Sequence, residues 1–233
     1  MEQINATAQK SKNLAEPQKA VESRSINSEL NEISQKVVEY FKDSHAQLIT
    51  SKSELHDHVT KMIEAGYGGI DTETTGLDRQ KDTIVGVSLY YPGGVECYIP
   101  SKHLVPIFDT LYANQLTYEE IGDELQRLVD AKTKLIFANA DFDLSMIWKD
   151  LKVDLIPVCY YDVILAWRCI KENERYNGLK ALYNKYVLKG VGDPMKFSDF
   201  FSPALFPYCK PQVAKLYAAN DAKITYDLFK WQL

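Results

Sequence analysis

The chain has 233 residues, of which 45% are hydrophobic and 25% charged, the balance of a soluble globular protein with one domain of ordinary size and an appendage. No apolar run is long enough to span a bilayer, and the polar stretch Met1 to Arg24 lacks the apolar centre of a signal peptide, so no membrane partner is expected. The formal net charge of −5 argues weakly against a nucleic-acid binder; it does not exclude one, because metal-binding carboxylates add acid where bound ions restore positive charge.

Residues 1 to about 27 are rich in Gln, Lys, Ser, Asn, Ala and Glu, which predicts a polar tail that is disordered or a frayed helix. From Ser28 an amphipathic helix is expected, because Leu30, Ile33, Val37 and Phe41 recur at helical spacing. Residues 28–50 are read as this helix and a linker, and 51–233 as the main domain. The apolar stripe either packs on its own domain or docks a partner. Ser51-Lys52-Ser53-Glu54 has the form of a capping box, followed by Leu55, Val59, Met62 and Ile63 as one stripe, and Gly66 ends that helix. Gly68 to Asp71 reads as a strand entering the core, Thr83 to Tyr90 as a second, and Val95 to Ile99 as a third, with a turn at Tyr91-Pro92-Gly93-Gly94.

Thr117-Tyr118-Glu119-Glu120 opens a helix carrying Ile121, Leu125, Leu128 and Val129, and Lys134 to Ala138 is a short buried strand. Asn139 is placed to cap the next helix, which runs to about Leu151 with Leu144, Ile147, Trp148 and Leu151 facing inward. Further helices are expected near Asp162 to Ile170, Leu179 to Val187, and from Gln212 to the end, with a Pro- and Phe-rich loop over 190–211. The fold class is therefore α/β, a mixed sheet of three antiparallel strands and then parallel strands, flanked by helices. Cys97, Cys159, Cys169 and Cys209 form no C-x-x-C pair and read as reduced thiols of a cytosol-like compartment. The chain still reads as helix at Trp231-Gln232-Leu233, so a longer parent polypeptide is expected.

Three stretches carry an ordered set of acids: Asp71-Thr72-Glu73, Asn139-Ala140-Asp141-Phe142-Asp143, and Tyr217-Ala218-Ala219-Asn220-Asp221. Asp71 and Glu73, two apart on a strand, project to one face. Periodicity does not choose between Asp141 and Asp143, either of which suits a helix N-terminus. Tyr217 and Asp221 are four apart and stack on one helix face. Each pair alone is common; the ordered set suits a site that holds two divalent ions and cuts phosphodiester bonds.

Together, with Thr74 and Gly76-Leu77-Asp78 extending the first stretch, these residues resemble the three exonuclease motifs of the proofreading 3′–5′ exonuclease domain of family A DNA polymerases. The likeness covers about residues 51 to 230 and falls in the tyrosine branch of the group named for its four acidic residues. The histidine branch would place His where Leu216 stands, and no histidine follows His103. The motif Asn139-x-x-Phe142-Asp143 selects Asp143.

The resemblance implies a ribonuclease H-like fold and two Mg²⁺ ions, replaceable by Mn²⁺. Asp71, Glu73, Asp143 and Asp221 would be the metal residues, and Tyr217 would orient the attacking water. For the substrate it implies Thr74 and Leu77 at the 3′ end, Asn139 on the sugar-phosphate, Arg175 on a phosphate and Phe197 stacked on the terminal base. Core packing, a helix cap, an exposed surface Arg and a core Phe stand beside the last four roles. The expected partners are a single-stranded or frayed DNA 3′ end and a polymerase domain, in the same longer chain or as a separate subunit. Residues 1–50 are a candidate arm for a replication partner. The long polar N-terminal segment resembles phage or plasmid-type polymerases, which implies the cytoplasm of a bacterial host. The competing readings are an RNA 3′ exonuclease of the ribonuclease D type and a non-catalytic module that positions DNA.

Overall fold

The computed structural model describes residues 16–106, 108–175, 178–192, 196–202 and 204–233, with side chains from residue 26 onward. In chain order the elements are α1 (Glu16–Tyr40), β1 (Gln47–Leu48), α2 (Lys52–Ala65), β2 (Tyr67–Thr74), β3 (Ile84–Tyr90) and β4 (Cys97–Pro100). A small hairpin, β5 (Leu104–Val105) with β6 (Thr110–Leu111), precedes α3 (Tyr118–Asp130), β7 (Lys134–Phe137), α4 (Ala140–Leu151) and β8 (Cys159–Asp162). Then come α5 (Val163–Ile170), α6 (Leu179–Tyr186), the single turn α7 (Phe197–Phe200) and α8 (Pro211–Gln232).

Six strands make one sheet in the order β1-β4-β3-β2-β7-β8. β2, β3 and β4 are antiparallel, whereas β7 and β8 continue the sheet in parallel to β2. Both expected capping boxes form: Ser51 with Glu54 at the start of α2, and Thr117 with Glu120 at the start of α3. β3 is buried along its whole length, as befits a central strand covered on both faces. Alternation in β7 sends Leu135 and Phe137 into the core under α2, α3 and α4, and Ile136 into the core under α5, α6 and α8.

The site depends on how closely α8 crosses β2. A Cβ at Gly69 would stand 2.1 Å from the Ala222 carbonyl oxygen, and one at Gly68 would stand 1.8 Å from Met62 Cε of α2. These two glycines let a helix press on the strand from each face.

Several expectations need correction. Over residues 1–27, where disorder or a frayed helix is expected, the chain is helical and not disordered from Glu16 onward, and residues 1–15 lie outside those described. Pro17 sits in the first turn, where it costs nothing, and the following Gln, Lys, Ala and Glu are good helix formers. The stripe Leu30, Ile33 and Val37 is buried on the chain itself. Each such side chain gains ~1.5–3 kcal/mol on leaving water, so a partner competing for the stripe would have to replace all of it. Trp148 does not face inward and is 62% exposed, because the buried face of α4 runs through Ala140, Asp143, Met146, Ile147 and Leu151. The 190–211 loop contains α7 and a 3₁₀ turn at Phe206–Tyr208.

Candidate active site

β2 ends where its pairing with β3 is interrupted between Glu73 and Thr74. Asp71 and Glu73 lie there on one face of the strand, and the close crossing at Gly69 brings Asp221 of α8 to them. One oxygen from each of the three carboxylates lies within 4.8 Å of the others. Asp143 comes from the first turn of α4 and is 4% exposed. Its Oδ1 accepts from the backbone N of Thr72 at 3.1 Å and from Thr72 Oγ1 at 2.5 Å. Asp141, which periodicity did not separate from Asp143, points outward and pairs with Arg79 at 2.5 Å. The second stretch thus sends one acid to the strand end and the other to solvent.

Crowding and burial move all four acids in one direction. Burial, then Asp143, Asp221 and Glu73, push Asp71 well above the usual carboxylate range. Burial and then Asp221 push Glu73 up to about 8. Burial also raises Asp143 to about 7 against the two Thr72 hydrogen bonds, which favour its anion. Asp221 is raised by burial, with Lys180 opposing. Such a set of hard oxygen donors is costly to ionise without added positive charge.

Lys180 supplies part of that charge. It stands on α6, donates to Asp221 Oδ2 at 2.8 Å and lies 2.8 Å from Oδ1, yet no donor is aimed along a hydrogen bond to Oδ1. Its Nζ also lies 3.6 Å from the centre of the Tyr217 ring. An acidic set with a buried carboxylate oxygen that accepts no hydrogen bond, and with one nearby ammonium among the described residues, fits a divalent cation with oxygen ligands. Sequence reasoning missed Lys180: the lysine is 41 residues from Asp221, and nothing local marks it.

Tyr217 is almost wholly buried, with Phe197, Phe200 and Phe201 around its ring at centroid distances of 5.5, 6.0 and 5.5 Å. Burial, then Asp221 and Glu73, raise its phenol far above the ordinary value, so the hydroxyl keeps its proton and can donate. Phe197 thus touches Tyr217 and also packs on the adjoining core, with its ring centre 5.2 Å from Phe201 and 5.5 Å from Phe206.

The other candidate substrate residues divide. Leu77 is 85% exposed, on a loop closed by Thr75 Oγ1 and Asp78 N donating to the Asp82 carboxylate. Core packing is not its role. Thr74 Oγ1 is engaged by the Gly76 carbonyl at 2.6 Å. Asn139 adopts a left-handed backbone, φ 71°, and its side chain makes no cap hydrogen bond. Asp162 caps instead, accepting from the backbone N of Asn139 and Ala140 as well as from Ile164 and Leu165. One carboxylate thus caps two helices, whereas the sequence pattern gave the cap of α4 to Asn139 and none to Asp162. Arg175 is exposed between α5 and α6, and among the described residues it makes no hydrogen bond or ion pair with the acid cluster.

Residues 46–231 match the model of a family described as 3′–5′ exonuclease. DNA polymerase I of Borreliella burgdorferi is 28% identical over 182 residues, which are 78% of this chain and 19% of that protein. DNA polymerase I of Pseudomonas aeruginosa is 26% identical over 182 residues, with 74% and 19% covered. The chain thus spans about a fifth of the length of these curated relatives. Among solved structures, Trypanosoma brucei RNase D in complex with RNA U12 superposes with a TM-score of 0.60 at 16% identity, covering 81% of this chain and 62% of that one. Brucella melitensis NrnC with bound Mg²⁺ gives 0.52 at 19% identity, covering 72% and 71%. At these identities the two structures share the fold.

Proposed function

The chain belongs to the 3′–5′ exonuclease domain family of family A DNA polymerases, and from that premise we propose that it removes nucleotides one at a time from DNA 3′ ends, releasing nucleoside 5′-monophosphates. The observation that carries this reading is the convergence of Asp71, Glu73 and Asp221 within 4.8 Å, with Tyr217 one turn before Asp221 on the same helix.

Asp71, Glu73 and Asp221 would hold Mg²⁺, or Mn²⁺ in its place, and Asp143 would act from its seat on Thr72 through an intervening water. Two such ions, when bound, supply positive charge against the transition state of phosphodiester hydrolysis. The protein's own groups do the rest. The Tyr217 hydroxyl, kept protonated, orients the attacking water. The water oxygen gives up a proton to solvent and forms the new bond to phosphorus, the bond to the 3′ oxygen of the preceding nucleotide breaks in line with it, and that oxygen takes a proton from solvent. Leu77, exposed on its pinned loop, would wedge between the last bases, and Phe197 would stack on the terminal one. Asn139, its amide unused by the helix, is free for the sugar-phosphate. A duplex end must fray to enter, so a mismatched end, which frays more readily, would be cut faster. The polymerase activity that such cutting would serve is assigned to a further domain or subunit.

The test is a gel assay with 5′-labelled single-stranded DNA and a matched RNA, with Mg²⁺, Mn²⁺ or EDTA, alongside Asp71→Ala. A one-nucleotide ladder on DNA that disappears with EDTA and in the variant supports the proposal. The likeness to RNase D gives the second reading, an RNA 3′ exonuclease, and faster cutting of the RNA would replace the first with it. No cleavage of either strand would favour a module that positions nucleic acid without cutting it.

A further inference from the structure

The family match begins at residue 46, after the first helix has ended at Tyr40. Yet that helix reaches the site. Phe41, immediately after α1, stands edge-on to Tyr217, with ring centres 6.3 Å apart and planes at 90°. It also lies 5.7 Å from Phe200, which in turn touches Tyr217, while Tyr40 packs on Phe200 at 5.4 Å.

The contact is anchored on both sides. Ile33 and Val37 bury α1 in the same core that holds Tyr217 and Ala218. After the helix, Lys215 of α8 donates to the Ala46 carbonyl at 2.9 Å. α7, which carries Phe197 and Phe200, is four residues long and too short to hold its own shape. It is held between α1 and α8.

We propose that Phe41, through its own ring edge and through Phe200, is a positioning residue for Tyr217, so that the N-terminal helix is a working part of the site. The proposal rests on the hydrolytic role given to Tyr217 and deepens it. A phenol's hydroxyl points wherever its ring plane and tilt direct it. Among the described residues the acid side of the ring offers the Lys180 ammonium on one face, and the ring's aromatic neighbours meet it in edge-to-face geometry. Removing the Phe41 edge frees the ring to tilt, and the hydroxyl moves with it. The carboxylates, fixed by β2, α4 and the α8 crossing, stay where they are.

The experiment uses the full chain with Phe41→Leu and Phe41→Ala, each alone and combined with Tyr217→Phe. Under single-turnover conditions at saturating DNA, Phe41→Leu should slow cleavage ~10-fold, within the range that a small misplacement of a catalytic group produces. Mn²⁺ affinity should not change. In the Tyr217→Phe background, which has no hydroxyl to aim, Phe41→Leu should cost nothing further. An equal loss in both backgrounds would overturn the proposal. Fluorine NMR of fluorotyrosine-labelled protein gives a readout that needs no cleavage: the resonance absent from Tyr217→Phe belongs to Tyr217, and it should shift or broaden in Phe41→Leu. An unmoved resonance would overturn the proposal even if the enzyme is active. A wild-type chain that cuts nothing would sink the exonuclease reading and leave the positioning of Tyr217 to be judged by the resonance. Should Phe41→Ala fail to fold, Phe41→Leu, which keeps an apolar side chain, carries the test.

Discussion

The acid centre and the segments assigned to the substrate are built in opposite ways. Asp71, Glu73 and Asp221 stand on a strand and a long helix pressed together through Gly69, and Asp143 is locked to Thr72. Of the residues assigned to the substrate, Thr74 and Asn139 stand at the ends of β2 and α4, but Leu77, Arg175 and Phe197 stand on loops or on a single turn, and Leu77 presents its side chain to solvent. Groups that must meet an ion at fixed distances are placed by regular elements; groups that must admit and release a strand are placed on connections. If that division is right, changes on the acid side should abolish the chemistry, and changes on the loop side should alter how the strand end is handled.

The largest effect is expected at the acids. Asp71→Ala or Asp221→Ala should lower the cleavage rate by on the order of 10³-fold or more, with little loss of fold. Asp71 is raised by burial and by its three acidic neighbours, so Asp71→Ala relieves a strained set and the metal-free melting temperature should hold or rise, whereas Asp221→Ala also takes the ion pair from Lys180 and should gain less. A rate near wild type for either variant would remove the acid cluster from the mechanism. Next comes Gly69→Ala, which adds no charge and touches no candidate ligand. Its Cβ meets a backbone carbonyl, which cannot rotate away, so α8 must lift from β2. A cost of ~1–3 kcal/mol in stability is expected, together with weaker Mn²⁺ binding, read by denaturant unfolding and metal titration. Unchanged metal affinity in a destabilised variant would show that the crossing supports the fold without setting the site.

Between the two regions stands Lys180, a loop-flanked helix residue that serves the acid side. Lys180→Met should lower the metal-free melting temperature, because Asp221 loses its only ammonium contact among the described residues. It should also tighten Mn²⁺ binding, because the ion no longer shares the site with a fixed cation. Weaker Mn²⁺ binding would show instead that the lysine stays and supports the ion.

The same crowding predicts a pH dependence. Glu73 titrates at about 8 in the folded chain against an ordinary value of 4.5. Between those two values the folded chain keeps a proton that the unfolded chain has lost, so metal-free stability falls as pH rises through the window. Asp143, raised to about 7, adds to the slope. Thermal melts in EDTA should show the decline, Glu73→Gln should flatten it, and saturating Mg²⁺ should reverse it. A metal-free profile that is flat across the window would mean that the acids are better solvated than their packing indicates.

How much of this was legible in the sequence follows the same division. The capping boxes at Ser51 and Thr117, the strand pair Asp71 and Glu73, and the helix pair Tyr217 and Asp221 are local patterns, written within a few residues of one another. What escaped was decided by distant contacts. β1 is two residues long and exists because β4 offers it a parallel edge. Asp162 caps a helix that starts 22 residues earlier in the chain. Trp148 has the hydrophobicity of a core residue, but its turn of α4 faces solvent because Asp143 and Ile147 take the buried side.

The smallest effect is expected at Leu77, and it tests the division from the loop side. The loop's shape is set by Asp82, not by Leu77, since Asp82 receives Thr75 Oγ1 and Asp78 N while Leu77 is left in solvent. Leu77→Ala should therefore leave the melting temperature and Mn²⁺ affinity unchanged. The lost contact with the strand end should appear as a several-fold higher KM for single-stranded DNA, with a smaller change in kcat, because one apolar side chain in a binding contact is worth ~1–3 kcal/mol. The discrimination between paired and mismatched ends should shrink as well, since a wedge does its work on frayed ends. A drop in kcat at unchanged KM would place Leu77 with the acids and break the division between a rigid centre and an adaptable rim.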